Sequence, residues 1–237
     1  MQLWPLMEEK LIDVEHPFIS VMGGGGKTTF LVGFGNYLRE KGKRVLLTTT
    51  TKLAYPGIEN YGEDYFCTAL PPVLASPSFQ GSVTLFAHAD EEKRKLVYPG
   101  EEEIAEVRKR YDVVLCEADG SRHLPVKVHT ERDPVILHFS TAVVSFIGIW
   151  CIGRRTGEVA FGESRDCVVD RKYLQAFIDS EEGPLKGMRP DTENILLFNG
   201  GDEMTEEEKK VILSLVIPPS VSAYIVSERK GVIYNAL

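Results

Sequence analysis

Four glycines run directly into Lys-Thr-Thr within "VMGGGGKTTF" (21–30), and no other stretch of the chain limits its fold as strongly. Upstream, "PFISVM" (17–22) carries Phe18, Ile19, Val21 and Met22, and its length and β-branched content predict a buried strand. Downstream, Phe30, Leu31, Phe34, Tyr37 and Leu38 recur at helical spacing through residues 28–42, which end in charged residues and Gly42 at the C-cap. Strand, glycine-rich loop and helix, in that order, make the setting of a phosphate-binding loop. Backbone N–H groups wrap a phosphate only where no Cβ intrudes and φ can be positive. The helix N-terminus adds partial positive charge. A flexible linker would supply glycines but neither flank. The loop therefore predicts that Gly23, Gly24, Gly25, Gly26, Lys27, Thr28 and Thr29 hold a nucleoside triphosphate, with Lys27 on the β/γ-phosphates and the Thr28 hydroxyl on Mg²⁺. The match departs from G-x-x-x-x-G-K-[ST] in one place, Val21. It is closer to the x-G-G-x-G-K-T variant of the dimerising P-loop ATPases, which often carry a second Lys where this chain has Met22.

The other motifs fall at the ends of further apolar runs. Residues 43–51, 112–120, 142–150, 194–203 and 222–231 read as strands, and 3–12, 100–111, 170–179 and 205–216 as helices, the last opened by a capping box of Thr205 and Glu208. Strands alternating with helices predict an α/β fold with a doubly wound, mainly parallel sheet of the P-loop NTPase type. The chain reads as one domain over 1–237, with a variable insertion at about 53–99 that holds five of the thirteen prolines and two strand-like runs, "YFCTA" and "SVTLFAHA". Ligands of such sheets sit at the carboxyl ends of the strands, where the polar motifs cluster.

"VVLCEADGSRHLPVK" (113–127) is an apolar run ending in acid, the arrangement that places a carboxylate near Mg²⁺. Glu117 and Asp119, two apart on a strand, share a face, and either is a candidate catalytic and metal-binding group. Arg122, Lys127 and Lys52 are candidates for phosphate or for a second, anionic substrate. "LLTTTTK" (46–52) offers Thr50 or Thr51 as a further hydroxyl near the metal. In "LLFNGGDE" (196–203), Asn199 and Asp202 have the spacing of the N-K-x-D guanine loop, with Gly200 in the Lys position, and "VSERK" (226–230) follows the last strand as a second base-side loop. ATP and GTP both remain open.

Composition limits the partners. The 237 residues are 43% apolar and 26% charged, with a net charge of −8 and no basic stripe, which argues against nucleic acid as the main partner. The four cysteines, Cys67, Cys116, Cys151 and Cys167, form no CxxC pair and read as reduced thiols of a cytoplasmic protein. "MQLWPLMEEKLIDVEH" has neither the basic nor the apolar region of a signal peptide. The longest apolar run (141–153) is too short to span a membrane and reads as a buried strand.

"GGGGKTT", "LLTTTTK", "EADGS" followed by Pro125 and Lys127, and "DPVI" (133–136) occur together and in this order. The set is similar to the selenium-dependent hydroxylase accessory protein family known as YqeC, over about residues 15–230. The resemblance implies a P-loop NTPase that helps mature selenium-dependent molybdenum hydroxylases, with such an enzyme, or the proteins that assemble its cofactor, as partner. It carries the nucleotide role onto Gly23 to Thr29 and the metal role onto Glu117 and Asp119, while "NGGD" departs from the family's N-K-x-D-like loop. Three functions fit: a slow nucleotide-hydrolysing accessory protein, a small-molecule kinase or nucleotidyl transferase acting on a selenium or molybdopterin-type acceptor, and a non-catalytic nucleotide-sensing scaffold. Met22 argues against a nucleotide-sandwich dimer.

Overall fold

Every residue of β1 (Phe18–Gly23) is buried, because this strand lies in the middle of the main sheet and is covered on both faces. The computed structural model describes residues 1–75 and 79–237. In chain order the remaining elements are α1 (Leu3–Leu11), α2 (Lys27–Glu40), β2 (Arg44–Thr49), β3 (Leu53–Ala54), β4 (Tyr65–Cys67), α3 (Leu70–Ala75), β5 (Ser82–Phe86), β6 (His88–Asp90) and β7 (Lys95–Val97), followed by α4 (Glu101–Val107), β8 (Val113–Glu117), β9 (Val126–Lys127), β10 (Ala142–Gly148), α5 (Thr156–Val159), β11 (Ala160–Phe161), α6 (Arg171–Ile178), β12 (Glu193–Asn199), α7 (Glu206–Leu213), β13 (Ser222–Ser227) and β14 (Val232–Ala236). Nine strands form the main sheet in the order β14-β13-β12-β10-β1-β8-β2-β5-β4. All neighbours pair in parallel except β13 and β14. The mainly parallel α/β fold expected from the alternation of strands and helices is present.

Period-two alternation sends successive residues of β1 to opposite faces. Ile19 and Val21 join the core under α1 and α2, with Phe30, Phe34, Leu115 and Val144. Phe18 points the other way, into a core with Ile104 and Val107 of α4. Farther along that face, α6 and Ile212 of α7 cover Ile147, Phe198 and Ile225. Trp4 of α1 packs on the Phe30 and Phe34 rings of α2, at centroid distances of 5.8 and 6.2 Å. Helices on both faces leave the carboxyl ends of the central strands as the place where loops converge.

The helix ends follow their sequence signals. Gly42, just beyond the C-cap of α2, has a left-handed φ of 80°. Thr205 and Glu208 form the reciprocal capping box of α7. Asp170 caps α6 by accepting from the Tyr173 N–H. The two strand-like runs expected within 53–99 are strands, and one feature departs from the sequence reading. Within 53–99, β4 and β5 extend the main sheet, while β3, β7 and β6 pair as a separate antiparallel sheet. The last expected strand, 222–231, ends at Ser227, and β14 returns antiparallel along its edge. The "ERKG" turn between them and the β-branched and aromatic start of β14, "VIY", are the hairpin signals that the sequence reading passed over.

Candidate functional site

The loop between β1 and α2 holds Gly23, Gly25 and Gly26 at φ values of 90°, 81° and 150°, which side-chain-bearing residues rarely adopt. Gly24 meets a second demand. A Cβ there would stand 2.6 Å from the Leu124 carbonyl oxygen and 2.7 Å from the Pro125 carbonyl carbon. The loop is thus pressed against the segment that follows β8. Gly24→Ala is expected to destabilise the fold by about 1–3 kcal/mol, as overpacking against immovable backbone does, and thermal or denaturant unfolding would measure it. An unchanged stability would mean that the 124–125 segment yields freely.

Lys27 opens α2 and is buried. Its ammonium donates to the Gly23 carbonyl at 2.6 Å and to the Ser121 hydroxyl at 3.1 Å, and lies 3.2 Å from Asp119 and 3.9 Å from Glu117. The two carboxylates sit at the tip of β8 yet differ in their surroundings. Asp119 Oδ2 accepts from the Gly23 N–H at 2.8 Å and from His129 Nε2 at 2.7 Å. Burial pushes the Asp119 carboxyl up, but Lys27, His129 and the Gly23 N–H outweigh it and hold it below the ordinary carboxylate value. Glu117 is pushed up to about 7 by burial, against the pull of the Lys27 charge and with the Asp119 charge adding to the rise. Its Oε2 is buried without a partner. Asp119 Oδ1 is likewise buried without a hydrogen-bond partner, with only the Lys27 ammonium near it at 3.2 Å, so Asp119 ties the loop through Oδ2 while each carboxylate keeps one oxygen free of hydrogen bonds.

His129 was not singled out in the sequence. Nothing local marks it, because its partners are distant in the chain. It is buried, with Nδ1 donating to the Gly183 carbonyl at 2.9 Å and Nε2 facing Asp119.

Of these groups Lys27, Glu117 and Ser121 line a cavity of about 660 Å³, together with Gly25, Gly26, Thr28 and Thr29, whereas Asp119 and His129 are not in its lining. Gly23 and Gly24 are buried behind that surface. Thr50 stands elsewhere, its hydroxyl donating to the Val135 carbonyl at 2.8 Å. Thr51 lies near Gly120, at 3.9 Å from the place a Cβ would take. Lys127 is buried and paired with Asp133 at 2.6 Å.

On the other side of the loop, the ends of β10, β12 and β13 supply Ile149, Trp150, Asn199, Gly200, Asp202, Glu228 and Arg229. The Asn199 amide donates to the Gly25 carbonyl at 2.8 Å and to Glu228, tying two strand ends to the phosphate-type loop. Asp202 lies 3.5 Å from Lys230. Burial raises its carboxyl, but Ser227 and Lys230 hold it below the usual value. Glu228 is buried, with Oε2 unpartnered, and burial pushes it up to about 7. Gly200 has a φ of 100°, and a Cβ there would stand 3.1 Å from the Trp150 ring. The indole occupies the ground on which a Lys stem would lie, so the Gly in "NGGD" belongs with Trp150.

A family profile described as YqeC protein matches residues 19–162. The chain belongs to the YqeC family. An Escherichia coli (strain K12) relative described as "Uncharacterized protein YqeC" is 34% identical over 140 residues, 58% of this chain and 54% of that protein. The chain thus spans about half the length of the curated relative it matches. No solved structure matches it. The segment shared with the YqeC family holds the glycine loop, both β8 carboxylates, His129 and Trp150, whereas Asn199, Asp202 and Glu228 lie beyond it.

Among the described residues, no group of three or more His, Cys, Asp or Glu side chains is placed to hold a metal by itself. The loop instead has hard oxygen donors beside it, the unpartnered Glu117 Oε2 and Asp119 Oδ1 and the Thr28 hydroxyl. This suits Mg²⁺, which binds through one or two protein oxygens and completes its shell with water and phosphate.

Proposed function

We propose that the chain binds a magnesium nucleoside triphosphate, ATP or GTP, hydrolyses it slowly, and acts as a cytoplasmic accessory protein for a selenium-dependent molybdenum hydroxylase. One observation carries the nucleotide reading: a glycine loop in left-handed conformations brings a buried lysine, Lys27, into the lining of a cavity of about 660 Å³ at the strand ends. The N–H groups at the start of α2 and the Lys27 ammonium receive the phosphates, Lys27 exchanging the Gly23 carbonyl and the Ser121 hydroxyl for phosphate oxygens. Thr28 and Glu117 would hold Mg²⁺, which neutralises charge on the β- and γ-phosphates when bound. Trp150, exposed in the cavity, offers a flat face to the base, and Asp202 an acceptor edge. Among the described residues no glutamine lines the cavity to orient a water, which fits slow turnover in the absence of a client. Membership of the YqeC family supports the accessory role. No helix among the described residues is long and apolar enough to cross a membrane.

Calorimetric titration with ATP, GTP and CTP, with and without Mg²⁺, tests this. The expected result is Mg²⁺-dependent binding that favours one base. Absence of heat with every triphosphate would overturn the nucleotide reading.

A further inference from the structure

The cavity does not end at the phosphate loop. Its lining continues past Lys27 to Lys52, Lys95, Arg122 and His123. These residues come from three separate segments: Lys52 follows β2, Lys95 lies on β7 of the small antiparallel sheet, and Arg122 and His123 follow β8. In the sheet order, β8 and β2 lie on one side of β1, and the strands carrying Trp150, Asn199, Asp202 and Glu228 lie on the other. The cationic groups thus face the loop from the side opposite the candidate base site.

Three properties set this side apart from an ordinary solvated face. Lys52, Lys95 and Arg122 have no ion pair among the described residues, whereas the nearby Lys93 and Lys127 are paired with Asp90 and Asp133. The only carboxylates lining this side are Glu59 and Glu117, and Glu117 already faces Lys27. Arg122 and His123 are consecutive non-glycine residues at φ values of 51° and 62°, a sparsely populated conformation that persists only where the surroundings enforce it and that gathers at ligand sites. The Leu124 N–H donates to the Ser121 carbonyl at 3.0 Å and closes the turn across these two residues, and a second contact holds the Arg122 side chain. The Arg122 guanidinium lies over the Phe161 ring at 4.8 Å, and Phe161 is held by the pairing of β11 with β9. Stacking fixes the guanidinium plane and leaves its N–H edges free.

We propose that this side of the cavity binds a phosphate-bearing small molecule as a second ligand beside the triphosphate. The description of it as a second ligand rests on the nucleotide reading above; the anion site itself does not. Arg122 supplies a bidentate fork, and Lys52 and Lys95 supply point charges, a set suited to a dianionic phosphate more than to a single carboxylate.

The test is titration with inorganic phosphate, followed by calorimetry, on three proteins: the wild type, Lys27→Ala, and the triple variant Lys52→Ala/Lys95→Ala/Arg122→Ala. The expected wild-type result is two classes of site. Lys27→Ala retains the class that the triple variant loses, with affinity there falling roughly tenfold or more in the triple variant. Lys95→Glu, on an exposed strand outside the strained loop, is expected to weaken the same class about two- to fivefold, so a folding defect of the triple variant does not decide the matter. A single class that vanishes in Lys27→Ala and survives in the triple variant would overturn the proposal. Loss in the triple variant with Lys27→Ala unaffected would support it while overturning the nucleotide reading.

Discussion

Lys27→Ala is expected to weaken magnesium triphosphate binding by roughly two to three orders of magnitude while leaving the fold intact. A unit charge pair at about 4 Å and an effective dielectric near 20 is worth roughly 4 kcal/mol before desolvation, and about 1.4 kcal/mol is tenfold in affinity. In this structure the Lys27 ammonium is already buried among Gly23, Ser121, Asp119 and Glu117, so little further dehydration opposes its contact with phosphate. Deleting it takes the nearby cation from Asp119 Oδ1 but leaves the partners of Oδ2 in place. Asp119 keeps the Gly23 N–H and His129, and Glu117, pushed up to about 7, can take a proton. Calorimetry and thermal unfolding together check this. Retained affinity would place the phosphates elsewhere, and a collapsed melting temperature would make Lys27 a structural ion-pair member.

Glu228→Gln is expected to stabilise the protein above pH 7 by up to about 3 kcal/mol and to have little effect below pH 4.5. Burial raises the Glu228 carboxyl from 4.5 to about 7, and each unit is about 1.4 kcal/mol. The folded state holds a proton that the unfolded chain has released, so the wild type loses stability as pH rises from about 4.5 to about 7 and reaches a plateau above. Gln matches the neutral acid in shape and retains the oxygen that accepts from Asn199. Glu117 shares the direction of shift, so the wild-type-minus-variant difference isolates Glu228. Urea midpoints at pH 4.5 and pH 8 give the answer. Equal differences at both would mean that the Glu228 carboxyl titrates alike in the folded and unfolded chain and that burial does not raise it. If a base is read at this wall of the cavity, the neutral Glu228 carboxyl provides a donor next to the Asp202 acceptor, and the variant would shift base preference as well.

Much of the architecture was legible because the signals are local. The glycine loop needs backbone conformations that only glycine adopts freely, and Gly23, Gly25 and Gly26 have them. The capping residues Thr205 and Asp170 act within one helical turn. β1 and β10 are buried throughout, and apolar but for Ser20, Ser145 and their closing glycines, because both faces of a parallel sheet are covered. The pairing of Glu117 and Asp119 at one strand tip follows from strand periodicity. The division of labour between them did not follow, since it depends on His129 and on the Gly23 N–H reaching Asp119 alone.

By itself, the sequence determined a parallel α/β sheet with a glycine-rich loop and a lysine at its central strand. Those features depend on backbone torsion and on periodicities of two and 3.6, which neighbouring residues suffice to express. Only the tertiary structure decided which side chains meet around that loop. Asn199 reaches Gly25 across 174 positions, and Trp150 occupies the ground beside Gly200. Strand order places β10 and β12 on one flank of β1 and β8 and β2 on the other. That order arises from how the two faces of the sheet are covered, a balance summed over the whole core and carried by no single segment.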